Sequence, residues 1–161
     1  MEQFTCITTV TEYLLNEITN IADSNLITAA QQAAKNAYAP YSRFMVGAAV
    51  LLSNNQIVTG NNQENAAFPS GLCAERVAMF YANAKYPNEL VKTIAITAQT
   101  GGNITAIPVS PCGACRQVLL ETEHRFGTPI KIILAGNEKI WIVETAKQLL
   151  PIEFGKQHLS E

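Results

Sequence analysis

The chain has 161 residues, 48% of them apolar, and a formal net charge of −2 with a pI of about 5.7. That size suits one domain with a real core, and the apolar fraction excludes a disordered tail. The balance lacks the basic footprint of a protein that grips a phosphate backbone, so no nucleic-acid partner is expected.

The opening MEQFTCITTV has neither the basic start nor the long apolar stretch of a secretion signal. No run of about 18 apolar residues follows, so no membrane partner is expected and the chain reads as cytoplasmic. FTCITTVTEYLLNEI sets Val10, Leu14, Leu15 and Ile18 at roughly helical spacing, which predicts a short leading helix. DSNLITAAQQAAKNAYAPYS predicts a stronger one, capped by Asp23 or Ser24, filled with alanine and stopped by Pro40. FMVGAAVLLS is an apolar, β-leaning run. Asn54-Asn55 then offers a tight turn and QIVTGNN returns, which together predict a hairpin.

CAERVAMFYANAKY predicts a helix with Val77, Met79, Phe80, Tyr81 and Ala84 on a broad buried face, ending near Pro87. VKTIAITAQ is a strand rich in β-branched residues. GNITAIPVSPCGACRQVLLETEHRFG reads as a loop, then a helix from the second cysteine pair to Gly127. PIKIILAG and KIWIVE are strands about a turn at Gly136-Asn137. TAKQLLPIEF is a short helix broken by Pro151, ahead of a tail. Helices alternate with strands through the second half, which predicts a sheet with helices on both faces.

Cysteine usage carries the chemistry. Cys6 stands alone, whereas PCGAC places Cys112 and Cys115 two residues apart at a predicted helix start. That spacing lets both thiolates reach one zinc, and a helix N-terminus favours the thiolate. Cys73 opens another predicted helix, so the same argument applies to it. A lone CxxC serves catalytic zinc, structural zinc and redox pairs alike. A structural site would want a fourth Cys or His, and Cys6, His124 and His158 have no ligand-like spacing. His124 reads as a helix-end residue near solvent and His158 as a loose tail residue. The shortage of a fourth ligand favours three protein ligands and an open position.

Glu75, two residues after Cys73, gains a meaning from this. A carboxylate beside a water polarised by zinc can take its proton and pass it on; the alternative is a first-turn acid that favours its helix. Arg76 has a similar pair of readings. Three thiolates leave a zinc cluster with a charge of −1, which a neighbouring guanidinium would temper, or the arginine is a solvated surface residue.

CAER followed by PCGACRQ, with YAPYSRFMVGAAV, GNNQENAAF and LLPIEF elsewhere, resembles the zinc-dependent cytidine deaminases over roughly residues 30–154. The resemblance implies a three-layer α/β/α sandwich with a mixed central sheet, and one catalytic domain over 1–161 with 1–20 as an N-terminal extension. It implies zinc, one per chain, on Cys73, Cys112 and Cys115, with Glu75 as the proton shuttle. Phe44 would pack on the pyrimidine face. Asn62 and Glu64 would bond the ribose hydroxyls, and the Ala74 backbone would read the base edge. Arg76 would temper the thiolate charge, and Phe154 would reach a neighbouring subunit of a homotetramer. The implied reaction is hydrolytic deamination of the nucleosides cytidine and 2′-deoxycytidine. One departure stands out: Phe68 replaces the family's frequent Tyr, and the bend Pro69-Ser70-Gly71 follows it.

Overall fold

The protein is represented by a computed structural model, described over residues 1–159. The alternating apolar runs form strands of one mixed sheet. β1 (Thr11–Leu14) leads α1 (Ile21–Ala34), the hairpin of β2 (Phe44–Leu52) and β3 (Ile57–Asn61), and then α2 (Ala74–Lys85). The second half is β4 (Val91–Thr100), the two-residue β5 (Asn103–Ile104), α3 (Gly113–Phe126), β6 (Lys131–Ala135) and β7 (Lys139–Val143). The order across the sheet is β1-β7-β6-β4-β2-β3, with β5 paired to β4. Among the described strands only β4 and β6 pair in parallel, and α3 lies in the connection between them. The other pairings are antiparallel.

The period of two along each strand divides the core. Ala48, Val50, Ile94, Ile96, Ile132 and Leu134 face α2 and α3, and pack with Ala78, Met79 and Leu119. Their neighbours Ala49, Ala95, Ile133 and Ala135 face the other way, onto Leu26, Ile27 and Ala30 of α1. This is the expected arrangement of helices on both sides of a mixed sheet. Glycine permits the closest approaches. A Cβ at Gly60 of β3 would stand 2.5 Å from the Ala78 amide nitrogen and 2.6 Å from the Ala74 carbonyl oxygen of α2. Gly60 therefore sets how closely the first turns of α2 lie on the sheet.

Four expectations are corrected. The leading segment is not a helix: residues 11–14 pair with β7, and a single 3-10 turn covers Leu15–Glu17. The Glu12 carboxylate, which accepts from Lys139 Nζ at 2.7 Å and Trp141 Nε1 at 2.8 Å, ties this strand across to β7. Asn20, rather than Asp23 or Ser24, caps α1, its Oδ1 accepting from the amides of Ala22 and Asp23. Asp23 instead pairs with Lys131 Nζ at 2.7 Å.

The buried face of α2 differs as well. Of the five residues expected there only Met79 is buried; Val77 is half-buried, and Phe80, Tyr81 and Ala84 are exposed. Small residues, Ala74, Ala78 and Ala82, fill the face because α2 sits so close to β3. Finally, His158 is not a loose tail residue: its ring stacks on Phe154 at 5.5 Å.

Candidate functional site

Two helix starts meet at one point. Cys73 is the N-cap residue of α2 and Cys112 that of α3, and neither side chain caps its helix. Both sulfurs are thereby free, and both lie where unpaired N–H groups favour negative charge. Cys115, one turn into α3, is buried. Cys73 Sγ lies 3.8 Å from Cys112 Sγ, Cys112 Sγ lies 3.5 Å from Cys115 Sγ, and all three fall within 4.8 Å of one another. Tetrahedral zinc at about 2.3 Å from each sulfur places neighbouring sulfurs about 3.8 Å apart, so the donor set and its spacing fit zinc.

The electrostatics agree. Donation from the Cys115 thiol, with help from Arg76, lowers the Cys73 pKa to about 5 despite partial burial. The same hydrogen bond, with burial and the neighbouring Glu75 carboxylate, pushes Cys115 far above the usual thiol range. Arg76 Nη2 lies 3.9 Å from Cys73 Sγ and 3.5 Å from the Gly71 carbonyl. Glu75 is 5% exposed, and burial raises its pKa, with the Cys73 thiolate adding to the shift.

A pH-dependent consequence follows. At pH 7 Cys73 is a thiolate while Cys115 keeps its proton, so zinc uptake must displace at least that proton. Calorimetry in two buffers of different ionisation enthalpy is expected to show at least about one proton released per zinc. Below pH 5 the Cys73 proton must leave too, and the slope of log affinity against pH is expected to steepen by about one.

A cleft of about 580 Å³ opens beside the thiols, lined among others by Tyr41, Asn62, Glu64, Phe68, Cys73 and Arg76. Its floor is the segment Asn62-Gln63-Glu64, pinned on both sides by backbone bonds to Tyr38 and to Leu72. The side chain of Asn62 is largely committed: Oδ1 accepts from the Val46 amide at 2.7 Å and Nδ2 donates to the Phe44 carbonyl at 2.9 Å. Glu64 accepts from the Ser42 hydroxyl and from the amides of Tyr41 (2.9 Å) and Ser42 (3.3 Å). These bonds, the hydroxyl first, hold its carboxyl below the usual range.

Among the sequence candidates, then, Asn62, Glu64, Cys73 and Arg76 share the cleft. Glu75 and Ala74 lie buried in the first turn of α2, next to it. Phe44 starts β2, half-buried and outside the cleft lining, and Phe154 is exposed on the C-terminal segment. Phe68 meets Tyr41 edge-on, with ring centroids 6.1 Å apart. Ser42, the partner of Glu64, was missed by the sequence reading. Its only local signal was a hydroxyl two residues before the candidate Phe44, in the loop that leads into β2.

Comparison with known proteins follows the same lines. Residues 21–126 match the family described as the cytidine and deoxycytidylate deaminase zinc-binding region. The chain is 41% identical over 137 residues to the cytidine deaminase of Halalkalibacterium halodurans, covering 84% of this chain and 96% of that one. It is 42% identical over 136 residues to that of Sporosarcina psychrophila, with 84% and 93% covered. Among solved structures, cytidine deaminase from Burkholderia pseudomallei superposes with a TM-score of 0.67 at 38% identity, covering 81% of this chain and 98% of that one. The Mycobacterium tuberculosis enzyme gives 0.66 at 32%, with 84% and 99% covered.

Proposed function

The chain belongs to the cytidine and deoxycytidylate deaminase family, and we propose that it hydrolyses free cytidine and 2′-deoxycytidine to uridine and 2′-deoxyuridine, releasing ammonia. The observation that carries this reading is the gathering of three thiols at two helix starts, with the buried Glu75 two residues after Cys73, beside a cleft that Cys73 and Arg76 line. Cys73, Cys112 and Cys115 would hold zinc, one per chain, and the bound metal would supply a water acidic enough to give up a proton near neutrality.

Glu75 takes that proton and delivers it to N3 of the ring. The water oxygen bonds to C4 as it gives up that proton; Glu75 next carries the oxygen's remaining proton to the C4 amine, and the C4–N bond breaks to release ammonia while oxygen stays on C4. One carboxyl thus acts as base and then as acid, a task suited to a group whose pKa burial has raised. The Ala74 backbone reads the polar edge of the base; Phe44, whose carbonyl bonds Asn62 from outside the cleft lining, would have to turn toward the base to pack on its face. Arg76 draws charge from Cys73, which counters the loss of Lewis acidity that three thiolates bring.

At the other end of the cleft Glu64 and Asn62 receive the sugar. A carboxylate offers about four acceptor sites, and Ser42 and the two amides leave room for a sugar hydroxyl. Asn62 Nδ2 has a second hydrogen besides the one given to Phe44. An ionised Glu64 would repel a phosphate there, which favours the nucleoside over the nucleotide.

Residues 1–161 act as one catalytic unit, with 1–20 as an extension that adds β1 to the sheet edge. The unit assembles as a homotetramer. Phe80, Tyr81, Ile152 and Phe154 are exposed apolar side chains that such contacts would cover, Phe154 being the aromatic proposed to reach a neighbouring cleft. Four free cysteines suit the reducing cytoplasm. No described helix is long and apolar enough to cross a membrane.

The decisive assay follows cytidine absorbance and ammonia together, using zinc-replete protein. Loss of the cytidine band with equal ammonia is expected. Protein that holds about one zinc per chain yet leaves cytidine intact would turn the search to other aminated rings.

A further inference from the structure

The three sulfurs are not equally supported. Cys115 is 1% exposed, and Cys73 follows Leu72, whose N–H and carbonyl both pair with Gln63. Cys112 is exposed, so packing does not fix its sulfur. Its side chain caps nothing, so its placement depends on the backbone to either side.

On the helix side the Arg116 amide donates to the Cys112 carbonyl at 2.9 Å, an ordinary helical bond. On the loop side the guanidinium of the same residue takes over. Nε donates to the Pro111 carbonyl at 2.9 Å and Nη2 to the Ser110 hydroxyl at 3.0 Å. Nη1 donates to the Leu149 carbonyl at 3.1 Å, which ties the loop to the C-terminal segment. Next along the helix, Gln117 Nε2 donates to the Phe154 carbonyl at 2.8 Å and reinforces that tie. A planar guanidinium can serve three acceptors in fixed directions, and a lysine ammonium cannot reproduce that fork.

We propose that Arg116 is a positioning residue for the metal: its guanidinium locks residues 110 and 111 against the C-terminal segment and so presets the Cys112 thiol. This rests on the zinc reading of the three thiols. Arg116 works differently from Arg76, which contacts a sulfur directly. The bonds of Arg116 go to two carbonyls and a hydroxyl, so its influence passes through the backbone before Cys112. A thiol placed in advance loses little freedom when the metal arrives. Removing such supporting partners typically costs about 10–100-fold in metal affinity.

The test compares parent, Arg116→Lys and Arg116→Gln as zinc-loaded proteins. Zinc transfer to a chromogenic chelator is timed, and the cobalt-substituted forms are read by their thiolate-to-metal absorption bands. Both variants are expected to give up zinc about 10–100-fold more readily, with altered cobalt bands and unchanged far-ultraviolet dichroism.

Glu123→Gln is the structural control. That carboxylate sits at the far end of α3 and accepts from the amides of Ile130 (2.9 Å) and Ala146 (2.7 Å) and from the Thr145 hydroxyl (2.5 Å). It is expected to lower the unfolding midpoint while zinc leaves as slowly as from the parent. Should Arg116→Gln fail to fold, Arg116→Lys decides. Variants that hold zinc as the parent does, or release it only as far as Glu123→Gln does, overturn this inference alone. A parent that takes up no zinc overturns both this inference and the metal reading.

Discussion

Glu75→Gln is expected to keep the fold and the zinc while cytidine turnover falls by about 10⁴-fold or more, since each proton-transfer role is worth about 10²–10⁴-fold. The glutamine side chain is nearly the same size, so the packing of a residue only 5% exposed is preserved. It keeps an acceptor oxygen but cannot carry a proton. Both roles assigned to Glu75, base toward water and acid toward the leaving amine, disappear together. Metal content should be untouched, because the proposed ligands are the three sulfurs and not Glu75. The parent's own pH profile gives a second check. Glu75 must be ionised in the free protein to accept a proton, and burial has raised its pKa. Activity should therefore fall on acidification at a pH above the ordinary carboxylate range. A glutamine variant that turned over at the parent rate would remove Glu75 from the mechanism.

What the sequence disclosed, and what it hid, divides by the range of the forces involved. The β2–β3 hairpin, α3 with its stop at Gly127 and the β6–β7 pair follow from local pattern, and local pattern is legible. Gly127 adopts φ 62°, the left-handed end that glycine reaches without strain. β1 was misread because its leucines fall at helical spacing. Its conformation is decided by pairing with β7, more than a hundred residues away, and by the bonds of Glu12 to Lys139 and Trp141. The face of α2 was misread for a related reason. Large apolar residues look like core, yet the close approach at Gly60 leaves space for alanine and turns Phe80 and Tyr81 outward.

The candidate site shows the same division. CAER and PCGAC name the thiols because metal ligation imposes spacing on the chain itself. The cleft's second layer imposes none. Ser42 meets Glu64 across 22 residues, and Arg116 meets Leu149 across 33. Such partners are chosen by the fold: Ser42 and Arg116 lie within YAPYSRF and PCGACRQ, but those stretches do not name Glu64 or Leu149 as their partners.

Replacing Cys115 by alanine is expected to abolish zinc binding and to destabilise the chain, a larger change than the lost sulfur explains. Cys115 is buried, so truncation to a methyl group loses the packing of one sulfur atom. The loss lies in the metal, because two thiolates at two helix ends are a poor site for zinc. A ligand that binds only the folded form, at about 1,000 times its Kd, stabilises it by about 4 kcal/mol. Thermal unfolding with and without chelator reads this directly. The parent should drop on chelation to near the midpoint of the variant, and the variant should not respond. A variant that still loses stability on chelation would show that Cys115 is not a ligand.

Cys73 offers an independent readout. Its thiolate is favoured chiefly by the hydrogen bond from Cys115, so in zinc-free protein at pH 7 its alkylation should slow in the variant. Between α2 and α3 a hydrogen bond joins Asn83 to Thr122 at 3.3 Å, away from the thiols. At the thiols the metal-free contacts are Cys73 Sγ to Cys112 Sγ at 3.8 Å and the bond from the Cys115 thiol. Zinc on Cys73, Cys112 and Cys115 would fix the first turn of α2, and Glu75 with it, against α3, so that the ion supplying the acidic water also places the group that takes its proton.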